Sequence, residues 1–182
     1  FSTYLRDGDG GNQTVTNGLD LSGEGGFVWV KERNDSNSHT IFSTDIPDVS
    51  AKRPYLSSST AFQKKTKSNI DIQFNGNGYQ IQGDDGQINQ DSNNTYADWS
   101  FRKCPGFLDI VTWTGSGANR TISHGLGSIP GIIFVKATSR DSDWNVYHRD
   151  IGNDHYLELN TNNAKAQEGT GGVQTWNNTS PT

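Results

Sequence analysis

The sequence predicts an all-β protein made of β-sandwiches of the jelly-roll kind. Short apolar runs recur at about ten-residue spacing, which is typical of sandwiches, and no stretch sustains the apolar periodicity of a helix. Gly, Asn, Asp, Ser and Thr crowd the spaces between the runs, and these residues form turns. The 182 residues include five Trp, six Tyr and eight Phe, which argues against a disordered chain.

Continuous apolar runs predict strands at three places. Residues 27–30 and 132–135 are apolar without interruption, so we expect strands that are covered on both faces. Residues 107–113 predict a further strand, which is bounded by Pro105-Gly106 and Gly115.

Alternation and turn residues place the elements between these runs. Residues 70–74 alternate apolar and polar side chains, as a half-buried strand does. The pairs Asn75-Gly76 and Asn77-Gly78 predict a tight turn directly after them. Residues 84–86, Asp-Asp-Gly, predict another turn, and helix should be scarce.

Charge and composition exclude several classes of protein. The formal net charge is −5 and the pI is about 5.2, so no basic footprint for nucleic acid is present. No apolar run approaches the length of a transmembrane helix, so we expect no membrane insertion. The single cysteine, Cys104, excludes a disulfide framework within the chain.

Two parts of the chain match each other. At one constant offset, six residues recur with the same identity: Gly8, Gly10, Asn12, Thr14, Gly18 and Leu19 fall on Gly115, Gly117, Asn119, Thr121, Gly125 and Leu126. Residues 26–31 then match residues 131–136, residues 41–46 match 146–151, and Tyr55-Leu56 matches Tyr156-Leu157. Gaps fall between the apolar runs, where insertions cost least. We therefore predict a first sandwich repeat over residues 1–105 and a second over residues 106–182.

The second repeat is predicted to be incomplete. Residues 70–74, 78–81 and 95–101 continue the first copy, and no counterparts to them occur in the second. We expect the second copy to expose an unpaired sheet edge. The chain is also expected to be a piece of a larger secreted or virion protein.

The run from Trp99 to Gly115, W-S-F-R-K-C-P-G-F-L-D-I-V-T-W-T-G, resembles the lectin-like repeats of bacteriophage tail-fibre and appendage proteins of the marine type. Residues 124–136 and 144–149 are similar to the same repeats. The resemblance implies concanavalin- or laminin-G-like jelly rolls, a location on the virion surface, and assembly as a homo-oligomer or with other virion chains. It implies contact with host-surface glycans and no defined catalytic residues.

One short stretch carries the side-chain types of a carbohydrate site: Trp144, Asn145, Tyr147, His148 and Arg149. An aromatic face can stack on a pyranose while polar groups bond its hydroxyls. Trp144, His148 and Arg149 align with His39, Ser43 and Thr44, so they are specific to the second copy. The alternative interpretation is that Val146 marks the core face, with Trp144 packed inside.

The sequence contains no complete metal-binding or catalytic motif. Asp7 and Asp9 resemble the start of a calcium loop, but the pattern is incomplete and the second copy has Thr114 and Ser116 there, so a turn is the better interpretation. No G-x-S-x-G elbow occurs, and the Glu residues lie in polar or turn contexts. We therefore expect no metal, no cofactor and no enzymatic activity.

The predicted function is host-surface adhesion by a virion fibre module through many weak glycan contacts. The alternative is a purely structural spacer or capsid-decorating domain without a specific ligand. An extracellular carbohydrate-active enzyme is the distant third interpretation.

Overall fold

The structure, a computed structural model, describes residues 1–167 and is all-β, as the sequence predicts. Its strands pair antiparallel, and the described residues form no α-helix, only a 3-10 turn at Arg149–Ile151. No helix in this part of the chain is long and apolar enough to cross a membrane.

Within residues 1–167, twelve strands build three sheets. They are β1 (Ser2–Asp7), β2 (Asn12–Thr16), β3 (Gly26–Glu32), β4 (Thr40–Ser43), β5 (Tyr55–Leu56), β6 (Ile70–Asn75), β7 (Gly78–Gly83), β8 (Thr95–Arg102), β9 (Ile132–Val135), β10 (Asn145–His148), β11 (His155–Glu158) and β12 (Ala166–Gln167). The sheet orders are β1-β8-β3-β4-β5, β2-β7-β6 and β12-β11-β10-β9.

Contacts divide the chain into two compact units. Unit 1 combines Phe1–Tyr55 with Lys65–Gly127, and unit 2 combines Leu56–Lys64 with the chain from Ser128 onward. These units are defined by contacts and the predicted repeats by sequence, so the repeat boundary at residues 105 and 106 stays a prediction.

Unit 1 is a β-sandwich whose core lies between the five-stranded and the three-stranded sheet. Both sheets contribute side chains to one buried apolar cluster, including Val28, Val30 and Tyr96 from the first and Val15, Ile72 and Ile81 from the second. The predicted alternation of residues 70–74 is confirmed, because Ile70 and Ile72 are buried in β6. The predicted turn is confirmed as the two-residue connection between β6 and β7.

A buried ion pair within the five-stranded sheet lies in this core, and a tyrosine of the opposite sheet is hydrogen-bonded to it. The Nε of Arg6 in β1 donates to Oδ2 of Asp98 in β8 at 2.6 Å, and both side chains are almost inaccessible. The hydroxyl of Tyr79, in the opposite sheet, donates to the same carboxylate oxygen at 2.5 Å. Burial raises the pKa of Asp98, against the opposing effects of Arg6 and Tyr79. The guanidinium also bonds Gln13 and the backbone of Ile88, so its donors are satisfied without water.

Unit 2 contains the four-stranded sheet. Trp144 precedes β10 and is only 7 % exposed, and its indole Nε1 donates to the carbonyl of Ser57 at 2.8 Å. Val146 and Tyr147 are also buried. The short segment Leu56–Lys64 is tied to this unit through further bonds, such as Gln63 N to Asp141 at 2.8 Å.

The hairpin β9–β10 has the same register as β3–β4. In unit 1, Phe27 pairs with Ser43 and Trp29 with Ile41. In unit 2, Ile132 pairs with His148 and Phe134 with Val146, which are the residues that the sequence alignment sets against those four. The two hairpins therefore have one pairing register in common, and the repeat itself stays a prediction.

Strands form at residues 27–30 and 132–135 as predicted, but the predicted cover on both faces was wrong. Strand β3 is not covered on both faces, because buried Val28 and Val30 alternate with partly exposed Phe27 and Trp29. Strand β9 is more open still, with Ile132 and Phe134 about half exposed. Apolar side chains fill the outer face of both strands, so the sequence hides the alternation.

The predicted strand over residues 107–113 was also wrong. These residues form no strand, and their region contains only the isolated bridge between Cys104 and Leu108. A strand needs a neighbouring backbone, and no described segment pairs with residues 109–113. Phe107 and Trp113 remain about half exposed.

The buried ion pair generates a stability prediction. Arg6→Ala should lower the free energy of unfolding of unit 1 by about 3–5 kcal/mol, because it leaves the Asp98 carboxylate buried without its cation. The double replacement Arg6→Met with Asp98→Leu should cost less, since no unpaired charge remains. Urea denaturation of the full chain measures both, with exposed Asp84→Ala as the control. A loss below about 1 kcal/mol for Arg6→Ala would contradict this view of the pair.

Candidate binding face

The predicted carbohydrate site in unit 2 does not present its two aromatic rings. Trp144 and Tyr147 are 7 % and 2 % exposed, so neither offers a ring face for stacking on a sugar in this conformation. The burial of Trp144 beside Val146 agrees with the alternative interpretation from the alternation, in which this side chain belongs to the core.

The remaining predicted residues lie at the surface of unit 2, where His148 has a local structural role. Asn145 and His148 are partly exposed and the Arg149 side chain is exposed. The Nδ1 of His148 accepts from the amide of Asp150 at 3.3 Å, at the start of the 3-10 turn. In unit 1, Ser43 accepts from the amide of Asp45 at 3.2 Å. His148 therefore takes the place of the aligned serine, which accounts for one residue specific to the second copy.

Asp7 and Asp9 lie at the turn between β1 and β2. Asp9 Oδ1 accepts from Gly11 N at 2.9 Å and from Asn89 Nδ2 at 2.8 Å. Asp7 is exposed, and its backbone carbonyl accepts from Gln13. Within residues 1–167 no three His, Cys, Asp or Glu side chains are grouped to hold a metal ion. The Asp9 carboxylate thus organises the turn.

The most distinctive surface of the described chain is the outer face of the five-stranded sheet. Strand alternation places Phe27 and Trp29 of β3 on this face, and the register sets them opposite Phe101 and Trp99 of β8. Phe1 and Phe107 extend the same group of rings. We call these six residues the aromatic face.

Ring contacts give the aromatic face two ends. At the phenylalanine end, Phe101 stacks on Phe27 with ring centroids 4.6 Å apart and lies 4.9 Å from Phe1. At the tryptophan end, Trp29 and Trp99 meet edge to face at 6.1 Å. These offset and perpendicular arrangements are the favoured geometries of aromatic pairs, so each ring holds its neighbour in place.

Polar groups border the tryptophan end. The indole Nε1 of Trp29 donates to Nδ1 of His39 at 2.8 Å. Burial, assisted by the charge of Lys31, lowers the pKa of His39, so the ring is neutral at pH 7 and its Nδ1 can accept this bond. Thr3 of β1 lies opposite Trp99 in the register and is exposed. The tryptophan end thus combines fixed aromatic rings with hydroxyl, imidazole and ammonium groups.

The tryptophan end brings together group types that can contact a sugar. A partly exposed indole can cover the apolar face of a pyranose, and the bordering groups can bond hydroxyls. Sequence analysis missed these residues, because it assigned residues 27–30 to a strand covered on both faces. The alternation of Trp99 and Phe101 about Ser100 was the available signal, since it puts both rings on one side of the strand.

A family model described as a domain of unknown function, DUF7483, matches residues 1–182. The chain belongs to this family. No curated protein and no solved structure matches it.

In this member of the DUF7483 family, the run after β8 makes polar contacts within unit 1 that join Asp45, Lys103, Asp109 and Gly125, and we call these four residues the clip. Pro105 and Gly106, with φ 76° at the glycine, occupy the central positions of a tight turn. Lys103 Nζ lies 3.0 Å from an Asp45 oxygen and 3.3 Å from an Asp109 oxygen. Asp109 also accepts from the amide of Gly125 at 2.6 Å. Lys103 and Asp109, which belong to the run that resembles the phage repeats, therefore hold this segment against Asp45 and Gly125.

The contacts of the clip raise the pKa of Lys103 and lower the pKa of Asp109. Desolvation lowers the pKa of Lys103, but bonds and charges from Asp45 and Asp109 outweigh it and raise the pKa overall. Desolvation raises the pKa of Asp109, but the amides of Gly125 and Ile110, with Lys103, outweigh it and lower the pKa overall.

The clip should therefore contribute most to stability at pH values at which Asp109 is ionised and Lys103 is protonated. Stability from Asp109 is present above the unfolded carboxyl pKa, about 4, and is lost as pH falls through the lower folded pKa. Stability from Lys103 is present below about pH 10 and is lost as pH rises through the higher folded pKa.

Asp109→Ala should open this clip while the sandwich stays folded. Amide protection at Gly125 should fall by about tenfold or more at pH 7, because its acceptor is lost. Asp109→Asn should retain part of the protection, since its oxygen can still accept. Hydrogen exchange followed by NMR measures both, and unchanged protection at Gly125 in Asp109→Ala would contradict the clip.

Proposed function

We propose that this chain is a non-enzymatic module of a bacteriophage fibre or another virion appendage, and that it binds host-surface glycans weakly. The proposal places the contact at the tryptophan end of the aromatic face. The observation that carries it is the partly exposed Trp29–Trp99 pair, held on a strand pair and bordered by His39 and Thr3. The resemblance of residues 99–115 to phage lectin-like repeats supplies the biological setting.

Rigidity supports a recognition role for this face. Trp29 and Trp99 stand directly opposite each other on neighbouring strands, and the side chains that flank them along the strands, Val28, Val30 and Asp98, are buried. Such a platform loses little conformational entropy when a sugar stacks on it. A single shallow contact of this kind is weak, so adhesion would rely on many copies. Repetition on an oligomer raises avidity without any new contact.

The phenylalanine end favours a second candidate function. Phe1 and Phe107 are each more than half exposed, and an apolar surface of this kind suits contact with another protein chain. Under this alternative the module is a structural spacer or capsid-decorating domain, and the aromatic face packs against a neighbouring virion chain. The two functions differ in whether isolated oligomers bind glycans at all.

Glycan binding should depend on Trp99. An oligomer of the full chain, made by fusion to a trimerising coiled coil, is applied to a glycan array. Trp99→Ala should weaken binding of any sugar that the wild type captures by about tenfold or more per site, the scale of a binding hot spot. Trp113→Ala is the matched control, because Trp113 is 46 % exposed and lies outside the strands of the sheet.

The same experiment separates the candidate functions. Circular dichroism and urea denaturation establish that each variant is folded. Absence of binding by the folded wild-type oligomer to every glycan and to host envelope preparations would reject adhesion and favour the spacer. Equal losses in Trp99→Ala and Trp113→Ala would move the site away from the tryptophan end. Release of shortened sugars from a captured polysaccharide would overturn the non-enzymatic part of the proposal.

A further inference from the structure

Strand β9 has an open edge within the described chain. Among residues 1–167 it pairs with β10 only, and it forms the end of the four-stranded sheet. The carbonyl of Gly131 accepts from Arg149 N at 2.9 Å, on the β10 side. Because backbone groups alternate along an antiparallel strand, the N–H and C=O groups of Ile132 and Phe134 point away from β10. Such an edge is a template for another strand.

The matched hairpin in unit 1 shows what covers this edge in the first copy. Strand β3 has the register of β9, and the bond from Thr44 N to the Gly26 carbonyl, 3.0 Å long, corresponds to the bond at Gly131. The opposite edge of β3 is covered by β8, which runs antiparallel and sets Phe101 against Phe27 and Trp99 against Trp29. The first copy therefore supplies a template for a strand that could pair with this edge of β9.

A glycine is kept at a position where β8 lies close to β3 in the first copy. A Cβ on Gly26 would lie 2.1 Å from the backbone oxygen of Phe101, so only glycine lets β8 approach at this point. The aligned residue in unit 2 is Gly131, where the three atoms nearest to an added Cβ belong to the Arg149 side chain. None of these three nearest atoms is backbone, in contrast to Gly26. A further strand that approached Gly131 as β8 approaches Gly26 would require glycine at this position.

Side-chain exposure indicates the chemistry of this strand. Phe27 and Trp29 are partly covered by Phe101 and Trp99 of β8. Their counterparts Ile132 and Phe134 are 48 % and 47 % exposed. A strand that carries aromatic side chains at alternate positions would cover both.

We propose that the open edge of β9 binds an extended segment of the β8 type, antiparallel, with a phenylalanine opposite Ile132 and a tryptophan opposite Phe134. Backbone hydrogen bonds to Ile132 and Phe134 supply affinity, and the two aromatic rings supply the register. The partner is thus defined by the pattern W-x-F on a strand. This goes beyond the glycan proposal, and neither depends on the other.

A synthetic peptide with the sequence of residues 94–103, capped at both ends, is the probe. Titrated into the isotope-labelled full chain, it should shift the amide resonances of Ile132 and Phe134 and slow their hydrogen exchange. In unit 1, bonds from Lys103 N to Gly25 and from Arg33 N to the Thr95 carbonyl show that odd-numbered residues of β8 point to β3. Trp99 and Phe101 of the peptide should therefore face β9.

Two modified peptides test this orientation with unchanged side chains. N-methylation at Trp99 and Phe101 removes two donors to β9 and should weaken binding by about tenfold or more. N-methylation at Asp98 and Ser100, whose amides point to the other side, should weaken binding less. On the protein, Gly131→Val should weaken binding while Gly115→Val, which meets open space, should not.

Several outcomes would overturn the proposal. These are no binding, equal effects of the two N-methylated peptides, or protection of the Ile132 and Phe134 amides in the free chain. Self-association of the chain that Gly131→Val abolishes would assign the edge to a second copy instead. None of these readouts involves a glycan, so they leave the proposed function untouched.

Discussion

The constraint on which unit 1 depends is the position of β8 between β1 and β3. Its backbone pairs with a strand on each side. One face of the strand packs against the core, and the other face is the outer surface of the sheet. The inner face carries Asp98, whose carboxylate receives Arg6 from the neighbouring strand and Tyr79 from the opposite sheet. The outer face carries Trp99 and Phe101. One strand thus joins the two sheets and also builds the candidate binding face.

The buried ion pair and the aromatic face are therefore linked through geometry. Arg6 and Asp98 are costly to desolvate, and the compensation is a complete set of hydrogen bonds. In exchange the pair holds the strands at one register, because a slip by one residue would move Asp98 to the outer face. The same slip would bury Trp99 and Phe101. The buried Asp98 and the outward-facing Trp99 and Phe101 therefore require the same register of β8 against its neighbours.

The comparison of the two hairpins changes how the second-copy residues are understood. The sequence set His148 against Ser43, which marked His148 as a candidate for recognition. The structure gives both the same task, to accept the amide of the following aspartate. Trp144 is buried and supports Leu56–Lys64 through Ser57. A residue that differs between the two copies can therefore make the same local hydrogen bond with another side chain, and such a difference does not by itself indicate a binding site.

The sequence by itself determined the all-β class and the turn after residues 70–74, because turn chemistry and alternation are local. It could not determine which apolar side chains are exposed: Phe27, Trp29, Ile132 and Phe134 look like core residues until sheet order is known. Nor could it show that residues 107–113 lack a strand partner. Burial of Trp144, exposure of the aromatic face and the open edge of β9 depend on which segments become neighbours, and only the tertiary structure decided that.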